Sequence, residues 1–442
     1  MIEKDKITEI LHKGLKFSKA EQTELLWLEE DFNYTGFTQN SIFNNISRYD
    51  HILMARTTLG KRIGVSVSNR IDDAGVGKVI KEAIEIAQNQ NEDEDFVSLP
   101  QSNPAPLVKG FHKKTSDFSP SDRVKVVERI VKECEKEKLK AFGAFETKTE
   151  SIAVVNSLGT EQFFKGTQAH LTMTPASNGA SGWAQGFNRD VNKIDAEKLA
   201  QTAIRKAIMS KTPIELPPGE YTVILEEAAV ASLLLFLGFL GFGGKTFSEG
   251  RSFMSNKIGE KITGENVTVV EDPFDPEMIG VPFDYEGVPK KRVTLIENGV
   301  ARGVVYNSYY ANKFGTQSTG HALKPNNPFG PYPKNMVMAP GDSSMEEMIS
   351  STDSGILITR LWYINYLNPM KTMITGTTRD GTFLIENGKI TQAVKNMRIG
   401  QSILEAFSNI ELMAKTRRVC PQFGVVMLVP AMKISKFKFI EQ

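Results

Sequence analysis

Cysteine is scarce in this chain, and an excess of charge of one sign is missing. The two cysteines among 442 residues, Cys134 and Cys420, lie far apart and form no CxxC pair, so the fold is expected to need no disulfide and to suit a reducing cytoplasm. The formal net charge of +1 gives no long-range field to attract nucleic acid or an anionic membrane. The first residues, MIEKDKITEILHKG, lack the apolar core of a secretion signal. These absences favour a cytoplasmic protein with neither nucleic acid nor a membrane as partner.

Long apolar runs are also missing, apart from one stretch, ASLLLFLGFLGFGGKTFSEG, which begins at Ala231. The apolar run from Ala228 to Phe242 is shorter than the roughly 18–20 residues that span a bilayer, so it predicts a helix buried inside the protein. The GKT that follows resembles the end of a phosphate loop. The leading glycine of that motif would fall at position 239, where the chain has Phe239, which argues against a nucleotide site.

Element patterns predict an α+β fold in two parts. The first half alternates strand and helix patterns, and the second half is mostly β with one buried apolar helix. The proline-rich segment KTPIELPPGEY separates them, so we expect an N-terminal α/β domain over 1–212 and a β-rich, barrel-like C-terminal domain over 213–442. In the second half, the Asn-Gly pairs of LIENGV (Leu295–Val300) and LIENGK (Leu384–Lys389) predict two-residue hairpin turns, as does Asp380-Gly381.

Motifs for catalysis are absent from the sequence. None of the five histidines precedes a glutamate, no two have the spacing of a zinc pair on a helix, and there is no GxSxG. One acidic pair stands out in FDYEGV, where Asp284 and Glu286 would share a face of a predicted strand. A solvated strand face or a turn is the simpler explanation of this pair.

Long segments of the second half resemble the TldD/PmbA family, also called the modulators of DNA gyrase. The segments are DYEGVPKKRVTLIENG, STGHA and PGDSSMEEMI, in the order and spacing of the family, and TGFTQNSI in the first half supports the resemblance. The resemblance implies proteolysis by a dimer that encloses a chamber, with HExxxH on a helix and a cysteine near the C-terminus as metal site. Counted back from GRSFMSNKIG, the motif falls on Leu235, Phe236 and Leu240, which can neither bind metal nor move a proton, and Cys420 alone is no metal site.

The resemblance therefore implies a member of the PmbA (TldE) branch: a non-catalytic subunit, without a cofactor of its own, of a cytoplasmic protease. Its partner would be a TldD-type HExxxH subunit that carries zinc, or a second copy of this chain. The substrates implied are unfolded peptides, such as leader peptides of modified precursors and antitoxins. Asp284, Glu286, Thr319 and His321 are candidates for peptide contact, near an exposed sheet edge expected around FDYEGV and the STGHALKPNNPFG loop.

Two alternatives stay open at this point. The chain could be a metallopeptidase of the same family that acts alone or as a homodimer. It could also be a regulator that binds peptides or modulates DNA gyrase without any role in proteolysis.

Overall fold

The first part of the chain forms one antiparallel sheet with helices on one face. The computed structural model describes residues 1–441. The helices of this part are α1 (Lys4–Phe17), α2 (Asp73–Gln88), α3 (Lys113–Ser116), α4 (Pro120–Lys136) and α5 (Ala196–Met209), with a 3-10 turn at Val191–Lys193. The strands are β1 (Gln22–Thr38), β2 (Ser41–Leu59), β3 (Arg62–Ser68), β4 (Gly143–Asn156), β5 (Glu161–Met173), β6 (Ala176–Ser177), β7 (Ala180–Ser181) and β8 (Ala184–Asn188).

Six of these strands pair in the order β3-β2-β1-β4-β5-β8, and β6 and β7 form a separate small hairpin. Successive side chains along β1 point to opposite faces of the sheet. Leu25 and Trp27 pack beneath α1 and α2, whereas Leu26 points to the opposite face and packs with Phe283 of the second part. The face without helices therefore looks towards the C-terminal half of the chain.

The second part is built around a mixed sheet. Its helices are α6 (Glu227–Gly241), α7 (Gly244–Ser248), α8 (Ser308–Lys313), α9 (Met345–Ser350) and α10 (Ile403–Ser408), with a 3-10 turn at Pro369–Lys371. Its strands are β9 (Gly219–Leu225), β10 (Val269–Glu271), β11 (Val293–Glu297), β12 (Val300–Ala301), β13 (Asn335–Met338), β14 (Ser354–Asn368), β15 (Met373–Glu386), β16 (Lys389–Ala393), β17 (Arg398–Ser402), β18 (Ile410–Gln422) and β19 (Val425–Ile440).

Strand pairing in this part closes on itself. The order is β12-β11-β10-β13-β19-β17-β15-β14-β9, and β9 pairs again with β19, so five strands form a closed ring. Outside this order, strand β16 pairs with β15, and strand β18 pairs with β19. The α+β class is confirmed, with a barrel-like arrangement in the C-terminal part. The chain passes between the sheets from Met209 to Gly219, and the division at residue 212 stays a prediction.

The largest apolar core surrounds α6, which packs mainly on β14, β18 and β19. This is the helix that the apolar run predicts. Within residues 1–441, no helix is both long enough and apolar enough to cross a membrane.

Two turn predictions are correct and two local predictions are wrong. Asn298-Gly299 and Asn387-Gly388 form the expected hairpin turns with positive φ at both residues. Asp380-Gly381 is no turn: it lies inside β15, where the pairing with β14 shifts register. The strand predicted through FDYEGV is not formed either, because Asp284 accepts hydrogen bonds from the backbone N–H groups of Glu286 and Val288 and closes a turn.

Candidate functional site

Helix α6 carries hydrocarbon at Leu235, Phe236 and Leu240, the three positions where the family resemblance leads us to expect HExxxH. Leu235 and Leu240 belong to the main apolar core together with Cys420. Phe236 is half-buried, and its ring lies 4.8 Å from that of Tyr366. The helix has one polar side chain on its buried surface, Ser232, whose hydroxyl donates to the carbonyl of Ala228 at 3.0 Å.

These residues do not fit a metal ion. Leucine and phenylalanine offer no donor atom, and burial, with a smaller contribution from Glu227, raises the pKa of the Cys420 thiol to about 12. A thiol with that pKa stays protonated near neutrality and is a poor ligand. The described part of the chain holds no group of three or more His, Cys, Asp or Glu residues arranged for a metal. No chemical step through a metal on this chain is derived.

The prominent concave feature is a cleft between the two parts of the chain. It consists of two adjoining cavities of about 660 and 520 Å³, which share Gln168, Phe187, Arg189, Asn335 and Val426. On the N-terminal side, the helix-free face of the sheet lines the smaller cavity, whereas β8 and the start of α5 line the larger one. The segments around β13, β18 and β19 form the opposite wall. A space of this size accommodates several residues of an extended peptide.

Two strand edges border the larger cavity. Strand β8 ends the N-terminal sheet and pairs only with β5 among the strands of residues 1–441. Strand β18 pairs with β19, and its second edge is bridged at Ala414 by Ser343. Both strands contribute to the lining, β8 through Gln185–Asn188 and β18 through Arg417–Val419. These free edges lie apart from FDYEGV, near which a peptide-binding edge was expected and where no strand forms. Because β8 and β18 are far apart in sequence, only the tertiary fold reveals them.

Basic side chains outnumber acidic ones in the lining of the cleft. The basic ones are Arg48, Lys109, Lys148, Arg189, Lys193, Lys198, Lys290, Lys334, Arg417 and Arg418. The acidic ones are Glu30, Glu146, Glu150, Asp195 and Glu277. The cleft is therefore positive although the whole chain carries a formal net charge of only +1.

Two of the lysines, Lys290 and Lys334, have no acidic partner. Both are half-buried, and neither ammonium group has a carboxylate within 4.0 Å in residues 1–441. The Lys290 Nζ donates weakly to Asn335 Oδ1 at 3.4 Å, and the Lys334 Nζ lies 5.0 Å from the centre of the Tyr285 ring. Burial lowers the pKa of Lys290 to about 8 and also lowers the pKa of Lys334.

The turn between β18 and β19 projects an aromatic ring at the edge of the cleft. Phe423 and Gly424 are its two central residues, with φ of +50° and +76°. The Phe423 side chain is 86% exposed and lines the smaller cavity. A phenylalanine with positive φ is uncommon, and strained residues of this kind cluster at functional sites.

The predicted peptide contacts lie deeper, in a hydrogen-bonded network. Besides its turn contacts, Asp284 accepts from the N–H of Ala322 at 2.8 Å; burial and the nearby Glu286 raise its pKa, and these N–H donors oppose the rise. His321 is buried between Thr319 Oγ1 at 3.0 Å and Glu271 Oε1 at 3.3 Å, and burial lowers its pKa.

Glu286, the fourth candidate, ties the two parts of the chain together. Its carboxylate lies 3.0 Å from the guanidinium of Arg56, which also binds Glu24 at 2.7 Å, and it accepts from the N–H of Ser308. The carboxylates of Asp284 and Glu286 and the Nδ1 of His321 are thus used inside the chain, whereas His321 Nε2 approaches Glu271 without forming a hydrogen bond. Peptide contact by these residues and by the half-buried Thr319 stays a prediction.

Comparison with known proteins places this geometry in a family. A family model described as the PmbA/TldA metallopeptidase C-terminal domain matches residues 218–441. A metalloprotease TldD homolog of Buchnera aphidicola is 26% identical over 251 residues, which cover 54% of this chain and 51% of that protein. Metalloprotease PmbA of Escherichia coli O157:H7 is 27% identical over 244 residues, again 54% of this chain and 51% of the relative.

These matches span about half the length of the curated relatives. The crystal structure of TldE from Thermococcus kodakarensis has the same fold throughout, with a TM-score of 0.90, 24% identity, and coverage of 98% of this chain and 100% of that one. The resemblance noted in the sequence is confirmed: the chain belongs to the PmbA/TldD family, several of whose curated members are named metalloproteases.

Proposed function

We propose that this chain is the non-catalytic subunit of a two-subunit metalloprotease, and that it holds unfolded peptide for a TldD-type subunit that carries HExxxH and zinc. The observation that carries the proposal is the composition of α6. Where a metallopeptidase helix has two metal ligands and a general base, this helix has Leu235, Phe236 and Leu240. The two leucines are packed into the main core, so their role is structural.

The cleft supports the peptide-holding part of the proposal. An unfolded peptide can pair with a free strand edge through backbone hydrogen bonds, which demand little of its sequence. The edges of β8 and β18 are positioned for this on the rim of the larger cavity. A folded protein cannot enter such a space, which fits substrates that are already unfolded, including leader peptides and antitoxins.

An aromatic surface beside α6 supports the presence of a partner. We use this name for Phe236, Phe239, Tyr332 and Tyr366, whose rings contact one another at 4.8 to 6.1 Å. Exposed apolar side chains from the β14–β15 region continue it: Trp362, Tyr363, Leu367 and Met370. Exposed clusters of this type are characteristic of protein interfaces. We propose that the HExxxH subunit docks here.

The proposal is tested by reconstitution. The chain and an HExxxH-bearing relative are purified separately, and hydrolysis of unfolded casein is measured with both subunits and with each one omitted. We expect hydrolysis with both subunits and little or none with this chain alone. Chelator-sensitive hydrolysis by this chain alone would instead support a self-sufficient metallopeptidase. If this chain never changes the activity of its relative, a regulator without a role in proteolysis becomes the better explanation.

A pair of variants tests the docking surface. Tyr366→Glu places a charge in the aromatic surface and is expected to abolish co-purification with the HExxxH subunit. Phe43→Glu is the matched control, because Phe43 is an exposed aromatic residue on β2, in the other part of the chain. Equal loss of co-purification in both variants would argue against this surface as the interface.

A further inference from the structure

The geometry points to a carboxylate-binding subsite in the cleft, formed by the ammonium groups of Lys290 and Lys334, which selects peptides that present an acidic group. This inference rests on the proposed peptide-holding function and adds a preference for the chemistry of the peptide. Both lysines line the 520 Å³ cavity and also a small cavity of about 40 Å³ beside it, next to Tyr285 and His321.

The first argument is the lack of a partner for two half-buried charges. A charge that is removed from water is normally compensated by an opposite charge or by several hydrogen bonds. Other half-buried cations of the cleft show this: Lys148 lies 3.0 Å from Glu150, and Arg417 lies 2.6 Å from Glu277. Lys290 and Lys334 have only a weak amide contact and an aromatic ring. An anion that enters the cleft would supply the missing compensation.

The second argument is that the nearby acids are already engaged. Glu271 accepts hydrogen bonds from the backbone N–H groups of Lys334 and Asn335 and contacts His321. Asp284 accepts hydrogen bonds from three backbone N–H groups, two within its turn and one from Ala322. Neither carboxylate is within ion-pair distance of the two lysines, so each offsets their charge only from a distance. Glu150, which also acts on Lys334, is paired with Lys148.

The charged and titratable groups that face Lys290 are Glu271, Asp284, Lys334, Arg189 and, across Glu271, His321. Burial lowers the pKa of Lys290 most, and the cations Lys334 and Arg189 act in the same direction, while Glu271 and Asp284 oppose them without restoring the ordinary value. A lysine with a lowered pKa gains from a bound carboxylate, because the anion restores the charged form.

The third argument concerns the identity of the anion. The two strand edges border the adjoining cavity, so a peptide paired there would extend past Arg189 and Asn335 towards the lysines. The carboxylate could belong to an aspartate or glutamate side chain or to the C-terminus of the peptide. Both sources present the same group to the two ammonium groups.

Fluorescence anisotropy measures the preference directly. The probe is a fluorescein-labelled unstructured peptide that contains glutamates, and it is titrated with the full chain. A second peptide has glutamine at each glutamate, and a third keeps the glutamates but ends in an amide. We expect the glutamine peptide or the amidated peptide to bind about tenfold more weakly, according to whether side chains or the C-terminus supply the carboxylate.

Variants assign the effect to the subsite. Lys290→Gln and Lys334→Gln are each expected to weaken binding of the acidic peptide about tenfold and to remove most of the difference between peptides. Lys334→Arg keeps the charge and is expected to retain the preference. Lys291→Gln is the matched control, because it removes the same charge at the next residue, which is exposed and contacts Gln317. Melting temperatures confirm that each variant is folded.

The outcomes separate this inference from the proposed function. If all peptides bind equally and the lysine variants change nothing, the subsite is refuted while peptide holding survives. If no peptide binds at all, both the subsite and the peptide-holding role are refuted. If Lys291→Gln weakens binding as much as the cleft variants do, the effect is one of general charge and the subsite is again refuted.

Discussion

Replacing Phe423 with asparagine is expected to stabilise the folded chain and, at the same time, to weaken its binding of peptide. Phe423 is the first central residue of the β18–β19 turn, with φ of +50°, and its ring is 86% exposed at the edge of the cleft. Asparagine tolerates positive φ far better than phenylalanine, and Asn-Gly is the preferred pair for such turns. Removing the ring should cost the folded state little stability, because the ring is largely exposed.

The magnitude follows from the backbone. A left-handed φ lowers the stability of the folded state by about 1–2 kcal/mol at any residue other than glycine, asparagine or aspartate. The packing of the exposed Phe423 ring offsets only a small part of this cost. The free energy of unfolding of Phe423→Asn should therefore rise by about 1 kcal/mol, which a urea titration followed by fluorescence resolves. Peptide affinity, measured by anisotropy, should fall, because the ring is the apolar group that the turn offers to a bound peptide.

The chain provides its own control. The turn of β15 and β16 has the same geometry, with φ of +50° at Asn387 and +72° at Gly388, and it already carries asparagine. Asn387→Phe should destabilise the chain by about the amount that Phe423→Asn gains and should leave peptide binding unchanged. The reasoning is refuted if Phe423→Asn lowers stability, or if peptide affinity is unaffected by the loss of the ring.

Three further predictions concern buried charges and thiols. Arg56→Met leaves Glu24 and Glu286 buried without their shared cation and should lower the free energy of unfolding, measured by thermal unfolding, by about 3–5 kcal/mol. This loss should become smaller as the pH falls, because protonation of the two carboxylates removes the uncompensated charges. Cys420, with a pKa of about 12, should react with a thiol reagent at neutral pH only after urea unfolds the chain. Affinity for the acidic peptide should fall about tenfold between about pH 7 and about pH 9, because Lys290, whose pKa is about 8, loses its charge in this range while an ordinary lysine keeps it. If the affinity does not change across this range, the role of Lys290 is contradicted.

The parts of the fold that depend on short segments could be predicted from the sequence. The apolar run at α6 is too short for a bilayer and too apolar for a surface, so a buried helix is the solution that remains. Asn298-Gly299 and Asn387-Gly388 form hairpin turns because their side chains suit the backbone that such turns require.

Other local features depend on neighbours that are distant in sequence. Asp380-Gly381 looks like the same turn signal, but Arg360 and Ser181 hold the Asp380 carboxylate, and the pair forms an irregularity inside β15. Phe423-Gly424 carries no turn signal in its first residue, and the closure of β18 on β19 imposes the turn.

The candidate site was the least predictable part. The resemblance identified the positions of Leu235, Phe236 and Leu240, but it gave no indication of the cleft. Lys290 and Lys334 are ordinary lysines in sequence, and their lack of a partner becomes visible only when the sheet of the first part covers them. Asp284 and Glu286 stand out in the sequence as an acidic pair. In the structure, the Asp284 carboxylate closes a turn, and the Glu286 carboxylate forms an ion pair between the two parts of the chain.

The packing around α6 also limits which substitutions this helix can accept. A first histidine at position 235 would bury an imidazole where Leu235 has no exposed surface, and the one hydroxyl on that part of the helix, on Ser232, is already engaged. Each step towards a metal-binding helix would therefore lower fitness through misfolding before any hydrolysis could be selected. Sequence change in this protein is therefore expected more readily at the rim of the cleft than at the packed positions of α6.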